Sequence, residues 1–395
     1  MSRVVIFMRR ALSIALLSAA ISSGCSSSAS GQPAKRGAAG VPEPVAVITP
    51  FTDGAAPVAV GRTDVAGRIV AVHVVSRVGA SGAADATPKR ALARDPVTLF
   101  ALVEIEHGGK RSFFSDAPLV RWNKKELRPR RLADAPAMKL TWSKIEPTTK
   151  DMSNTASGGF RYETIPYEAT PMTASGSASG GSVAADVHPT LTPDHGDGLG
   201  TMRYQLVATQ GDRHVASPGI DRRRGRGSGG LSDDVHRVSL RSDDTFLGMM
   251  TEMYGQPYIW ASAGGTDRTH QSERLEGSDC ADLMVYGARR TGLDIPYGWT
   301  GSLEKHARVL GKGTLADDGV YRDGRGNPVA FTRPGDLVLF PRHVGALVED
   351  RGTRGVLDTA DVMIHTLFDS PKQQPIADSG YADNPVKVLR WKATR

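Results

Sequence analysis

Cys280 follows Gly277-Ser278-Asp279 and opens a run, Leu283, Met284, Tyr286 and Ala288, with helical apolar spacing. A cysteine reacts as its thiolate, and a helix N-terminus favours that anion through its dipole and free N–H groups. Two histidines, His343 and His365, lie downstream on stretches with strand character. An imidazole beside a thiol can take its proton. A second polar group bonded to that imidazole fixes its tautomer. The three side chains are the nucleophile, base and orienting group of a cysteine hydrolase, with Asp358 as the other candidate for the third place. The plain alternative is that Cys280 is an inert core residue.

These residues need a scaffold and a compartment. The chain has 395 residues and two cysteines, Cys25 and Cys280. Arg3, Arg9 and Arg10 precede a short apolar run over residues 11–21, then Ser22-Ser23-Gly24-Cys25. The run is too short to span a bilayer and suits a signal peptide. Small residues ending in a cysteine resemble the lipobox of bacterial lipoproteins, with residues 1–24 removed and Cys25 lipidated. An ordinary signal peptide cut nearby is the alternative. With Cys25 lipidated, Cys280 is the sole remaining thiol and no intramolecular disulfide is possible.

Residues 25–43 are rich in Ser, Gly, Pro and Ala and read as a flexible tether. Over 44–235 apolar residues alternate, as in Ile69, Ala71, His73 and Val75, or Met202, Tyr204, Leu206 and Ala208. Such alternation predicts antiparallel strands in an all-β, sandwich-like module, with a disordered loop near 173–186. Arg222-Arg223-Arg224-Gly225-Arg226-Gly227 reads as an exposed linker. Over 240–395 the expectation is helices near 246–253, 278–292 and 300–310, then strands. That order is an α+β domain.

Four segments, taken in chain order, resemble the NlpC-type cell-wall cysteine peptidases. They are Pro257-Tyr258-Ile259-Trp260 with Gly264-Gly265, Ser278-Asp279-Cys280-Ala281-Asp282-Leu283, Arg333-Pro334-Gly335-Asp336-Leu337-Val338-Leu339-Phe340, and His343-Val344-Gly345-Ala346 with Met363-Ile364-His365. The resemblance covers about 245–370. It implies a papain-like domain with helices on an antiparallel sheet. It also implies Cys280 as nucleophile, His343 as base, His365 as third residue and Tyr258 beside the sulfur. The Cys280 N–H would serve the oxyanion hole. The implied substrates are amide bonds of peptidoglycan stem peptides. Asp282 stands where the family carries a small residue.

The expected protein is thus a lipid-anchored cell-envelope cysteine peptidase facing the periplasm or exterior, with the β module meeting the wall or an envelope protein. An amidase or acyltransferase on another substrate, and a degenerate envelope adaptor, are the alternatives. No cofactor is expected. His188, Asp194 and His195 lack metal-ligand spacing. The net charge of +7 gives no case for nucleic acid.

Overall fold

In the computed structural model, residues 57–154, 162–172, 180–224 and 229–392 are described. The signal peptide, the tether, Cys25 and residues 173–179 of the expected loop lie outside them. Three sheets of seven strands dominate the fold, with a two-stranded parallel ribbon between Asp151–Ser153 and Tyr258–Trp260. The first sheet runs Val58–Val60, Met138–Pro147, Gly200–Gln210, His236–Arg241, Lys89–Leu92, and the second is built on Arg68–Val78 paired with Val97–His107. Ile69, Leu99 and Val103 of the second share one core with Leu140, Trp142 and Leu206 of the first. Their alternation is what places them on the buried face. Ser182–Ala184, inside the loop expected near 173–186, is a strand paired with Val97–His107.

The third sheet carries the order Tyr321–Arg322, Ala307–Leu315, Val386–Trp391, Leu337–Phe340, His343–Glu349, Val362–His365, Lys372–Pro375. Of the described residues 42% are strand and 11% helix, which overturns the α+β expectation. The described residues are mostly β with several curled sheets and form no papain-like helix-on-sheet domain. Of three expected helices one is substantial. The first is α1, Phe246–Met250, followed by a 3-10 turn at Thr251–Met253. The second, α2, covers Cys280–Arg290. The third is a 3-10 turn, Thr300–Lys305, followed at Ala307 by a strand. Local spacing favoured helix there. Pairing with the distant Val386–Trp391 decides for strand. No described helix is long and apolar enough to cross a membrane.

The described residues all belong to one compact unit. Buried Glu252 holds the strands to α2. It accepts from Arg90 at 3.1 Å, from Arg241 at 3.2 Å, and from the Tyr286 hydroxyl. Arg203 donates to Gln256 at 3.2 Å and to the Leu275 carbonyl at 2.9 Å. Of the arginine run, Arg222 and Arg223 are exposed, and the described arginines still make fixed contacts. Arg223 donates to the Ile165 carbonyl at 2.8 Å, and Arg224 pairs with buried Glu276 and with Asp233.

Candidate active site

Asp279 is the N-cap of α2: its carboxylate accepts from the Asp282 N–H at 2.9 Å. Gly292 (φ +94°) follows the helix, and Arg289 and Arg290 occupy the last turn. These end signals stabilise an eleven-residue helix with Cys280 as its first residue. Strand Tyr258–Trp260 runs beside the approach to the helix: the Ile259 N–H donates to the Ser278 carbonyl at 3.0 Å, and the Ser278 N–H to Pro257 at 3.3 Å. A Cβ on Gly277 (φ +141°) would sit 2.5 Å from the Pro257 carbonyl oxygen. Only glycine allows this approach. It brings Tyr258 close to Cys280, and the Tyr258 phenol is raised by burial first and then by Cys280.

Helix α2 packs against strand His343–Glu349. That strand pairs with Leu337–Phe340 on one side and Val362–His365 on the other. Asp336 anchors the start of the hairpin, accepting from the Arg390 guanidinium at 2.7 Å. A Cβ on Gly345 would meet Met363 Sδ at 2.7 Å and His365 Cβ at 3.3 Å, so the missing side chain lets the two histidine strands close up. His343 Nε2 then lies 2.8 Å from His365 Nδ1, with the rings 79° apart. The outer nitrogens, His343 Nδ1 and His365 Nε2, are buried without a hydrogen-bond partner.

The electrostatics are those of a dry site. Cys280 is 7% exposed. Burial pushes its thiol up, and the Asp279 carboxylate adds to this. The N–H groups of Val344 and Ala281 oppose them by favouring the anion. Burial alone brings His343 down to about 4. His365 is held at about 3, by burial first and then by His343 and Lys372. At neutral pH the sulfur is therefore a thiol and both imidazoles are uncharged. Among the described residues no hydrogen bond joins Cys280 to either ring. The link is the peptide after His343, whose Val344 N–H acts on the sulfur.

Asp282 does not stay out of the site. It is buried, bonds the Ser262 hydroxyl, and lies 3.6 Å from His270 Nε2. Its carboxyl is raised by burial and then by Asp279. Asp279 itself is raised to about 6, by burial against the N–H bonds that it accepts. Asp358 is no member of the site: it accepts from Thr353 at 2.8 Å and Ala360 at 2.9 Å and shapes the turn before His365. His195 lies 3.2 Å from Asp369, while His188 lies 2.8 Å from Asp186.

No family model, curated protein or solved structure matches this chain. The site must be read from its own geometry. Two residues join it that sequence reasoning passed over. Tyr381 stacks on His343 at 4.5 Å between ring centroids, and its phenol is raised by burial and then by Cys280. No local motif marks it, because it arrives from the far end of the chain. Arg342 (φ +64°) holds the second place of the turn between the two core strands. A proline followed by a non-glycine in a two-residue turn was the available signal. Phe368 (φ +52°), 62% exposed, stands edge-on to Tyr258 at 5.6 Å.

Proposed function

We propose that the protein is a cysteine hydrolase of the cell envelope, tethered through a lipidated Cys25, that cleaves amide bonds in peptidoglycan stem peptides. One observation carries the reading. A sulfur at the first residue of a helix is linked through the Val344 N–H to a strand whose leading imidazole has one nitrogen fixed by His365 and the other without a partner. The reading rests on these side chains and on the resemblance of their four segments.

The chemistry follows from the neutral state of the site. His343 Nε2–H donates to His365 Nδ1, which leaves the lone pair on His343 Nδ1 as the base. As Cys280 Sγ bonds to the amide carbon, its proton passes to Nδ1. The Cys280 N–H, in the first turn of α2, stabilises the oxyanion. The C–N bond then breaks, and His343 returns the proton to the departing amine. Water attacks the thioester with His343 accepting its proton. The carboxylate leaves and Sγ is reprotonated.

The burial of Cys280 favours a second reading, an envelope adaptor whose thiol is inert. Mass spectrometry of muropeptides incubated with the full chain and with Cys280→Ser separates the two. Stem-peptide masses that fall with the wild type alone support the hydrolase. Unchanged masses with both refute it.

A further inference from the structure

A cavity of about 520 Å³ lies at the turn that leads into His343. Phe340 lines it, with its ring 6.4 Å from that of His343, and so does Arg342, the residue before the base. Leu339 and Val386 give it an apolar wall, and Trp299, 72% exposed, stands at it.

Its charge is one-sided. Lys312, Arg322, Arg342 and Lys387 line the cavity, against Glu304 alone. Glu304 is taken by Lys387 at 2.6 Å, and Arg322 by Asp318 at 2.6 Å. Lys312 and Arg342 have no ion-pair partner among the described residues. Lys312 sits directly across from Lys387 on the neighbouring strand. Like charges so placed destabilise a sheet, and Glu304 balances only the Lys387 member of the pair. Arg342 meanwhile occupies a left-handed position where glycine would be free of strain. Two local costs therefore converge on one cavity, and a bound anion offsets the first and gives a use to the second. Strain kept at such a place marks a functional position.

We infer that this cavity is a subsite for the carboxylate-bearing end of the peptide whose amide reaches Cys280, with Arg342 gripping the carboxylate and Lys312 supplying a second charge. The inference rests on the amide-hydrolase reading for its substrate class. A guanidinium matches a carboxylate with two parallel N–H bonds. The cavity would select peptides with a free acid near the scissile bond over amidated ones.

The test uses full-length Cys280→Ser, which cannot turn over, and a γ-D-glutamyl stem tetrapeptide with its carboxylates either free or all converted to carboxamides. Calorimetry is expected to show the free acid binding about tenfold tighter, a difference of about 1.4 kcal/mol. Adding Arg342→Gly should remove that preference, without lowering the melting temperature, because glycine suits the turn. Lys312→Gln should reduce it. Equal affinity for both peptides, or a preference untouched by either substitution, overturns the subsite. So does inorganic phosphate that competes while the peptides are not discriminated, since the cavity is then a phosphate site. Discrimination without cleavage by the wild type removes the hydrolase reading and leaves the subsite standing. Cleavage without discrimination does the reverse.

Discussion

His343 and His365 meet nitrogen to nitrogen at 2.8 Å, nearly at right angles, with the outer nitrogen of each buried and unpaired. In the proposed mechanism this contact sets the tautomer of His343. Removing its partner leaves a buried donor without an acceptor, at a cost of about 1–3 kcal/mol. His365→Ala is therefore expected to lower turnover of stem peptides about 10–100-fold, while KM stays near the wild-type value. His365→Asn, which can still accept, should recover part of it. Steady-state kinetics check this, and an unchanged kcat in His365→Ala would remove the orienting role.

Both rings also make stability depend on pH. Their folded-state values, about 4 and about 3, lie below the ordinary 6.5. The unfolded chain therefore takes up protons first as pH falls. Stability should be full above pH 6.5 and decline towards pH 3. Urea midpoints across that range measure the decline. The double variant His343→Gln/His365→Gln should show a shallower slope. It should not be flat, because buried His236 and His270 are lowered in the same way.

The thiol should be slow to alkylate at rest. Burial and the Asp279 carboxylate hold it above the ordinary cysteine value, so reaction with iodoacetamide should climb only in alkaline solution. Asp279→Asn keeps a good N-cap and removes the charge. It should speed alkylation at pH 8. It should also stabilise the protein at neutral pH, because a carboxyl raised to about 6 loses stability as pH rises from 3.8 to 6. A rate plateau between pH 5 and 8 in the wild type would instead reveal a resting thiolate–imidazolium pair.

Gly345 controls the approach of the two histidine strands. Gly345→Val places carbon where Met363 Sδ and His365 Cβ already lie. Overpacking of this kind costs about 1–3 kcal/mol. Turnover is expected to fall as in His365→Ala, and the chemical shifts of both imidazoles should move. A variant with normal stability and normal kcat would refute the packing argument.

Glu252 ties the strands to α2 through Arg90, Arg241 and Tyr286. Glu252→Ala leaves Arg90 without its counter-charge and the Tyr286 hydroxyl without its acceptor, while Arg241 keeps Asp244 at 2.7 Å. The loss should be about 3 kcal/mol, the low end for a broken buried pair, because the guanidinium groups keep partial contact with water. Denaturant midpoints measure it, with a single shared transition expected.

Local chemistry was legible in the residues themselves. Asp279 before Cys280 reads as a cap, and it is one. Alternation marked the strands around Ile69, Leu99 and Leu206, because the pleat repeats every two residues. The approximate places of His343 and His365 on strands were also readable. What misled was short helical spacing. Five residues satisfy it around Phe246, and a turn satisfies it around Thr300, without the length that makes a helix stable. The balance of helix and strand was then settled by partners far along the chain, as when Val386–Trp391 claims Ala307–Leu315.

The residue sequence by itself determined which side chains can react and where the chain caps, turns and alternates, since these depend on near neighbours. Tertiary structure alone decided that Tyr381 stacks on His343, that Arg342 faces a cavity with a pair of opposed lysines, and that Cys280 is buried deeply enough to keep its proton. Desolvation and cross-strand contact depend on what lies within a few ångströms in space. Neighbours of that kind come from segments that local pattern cannot bring together.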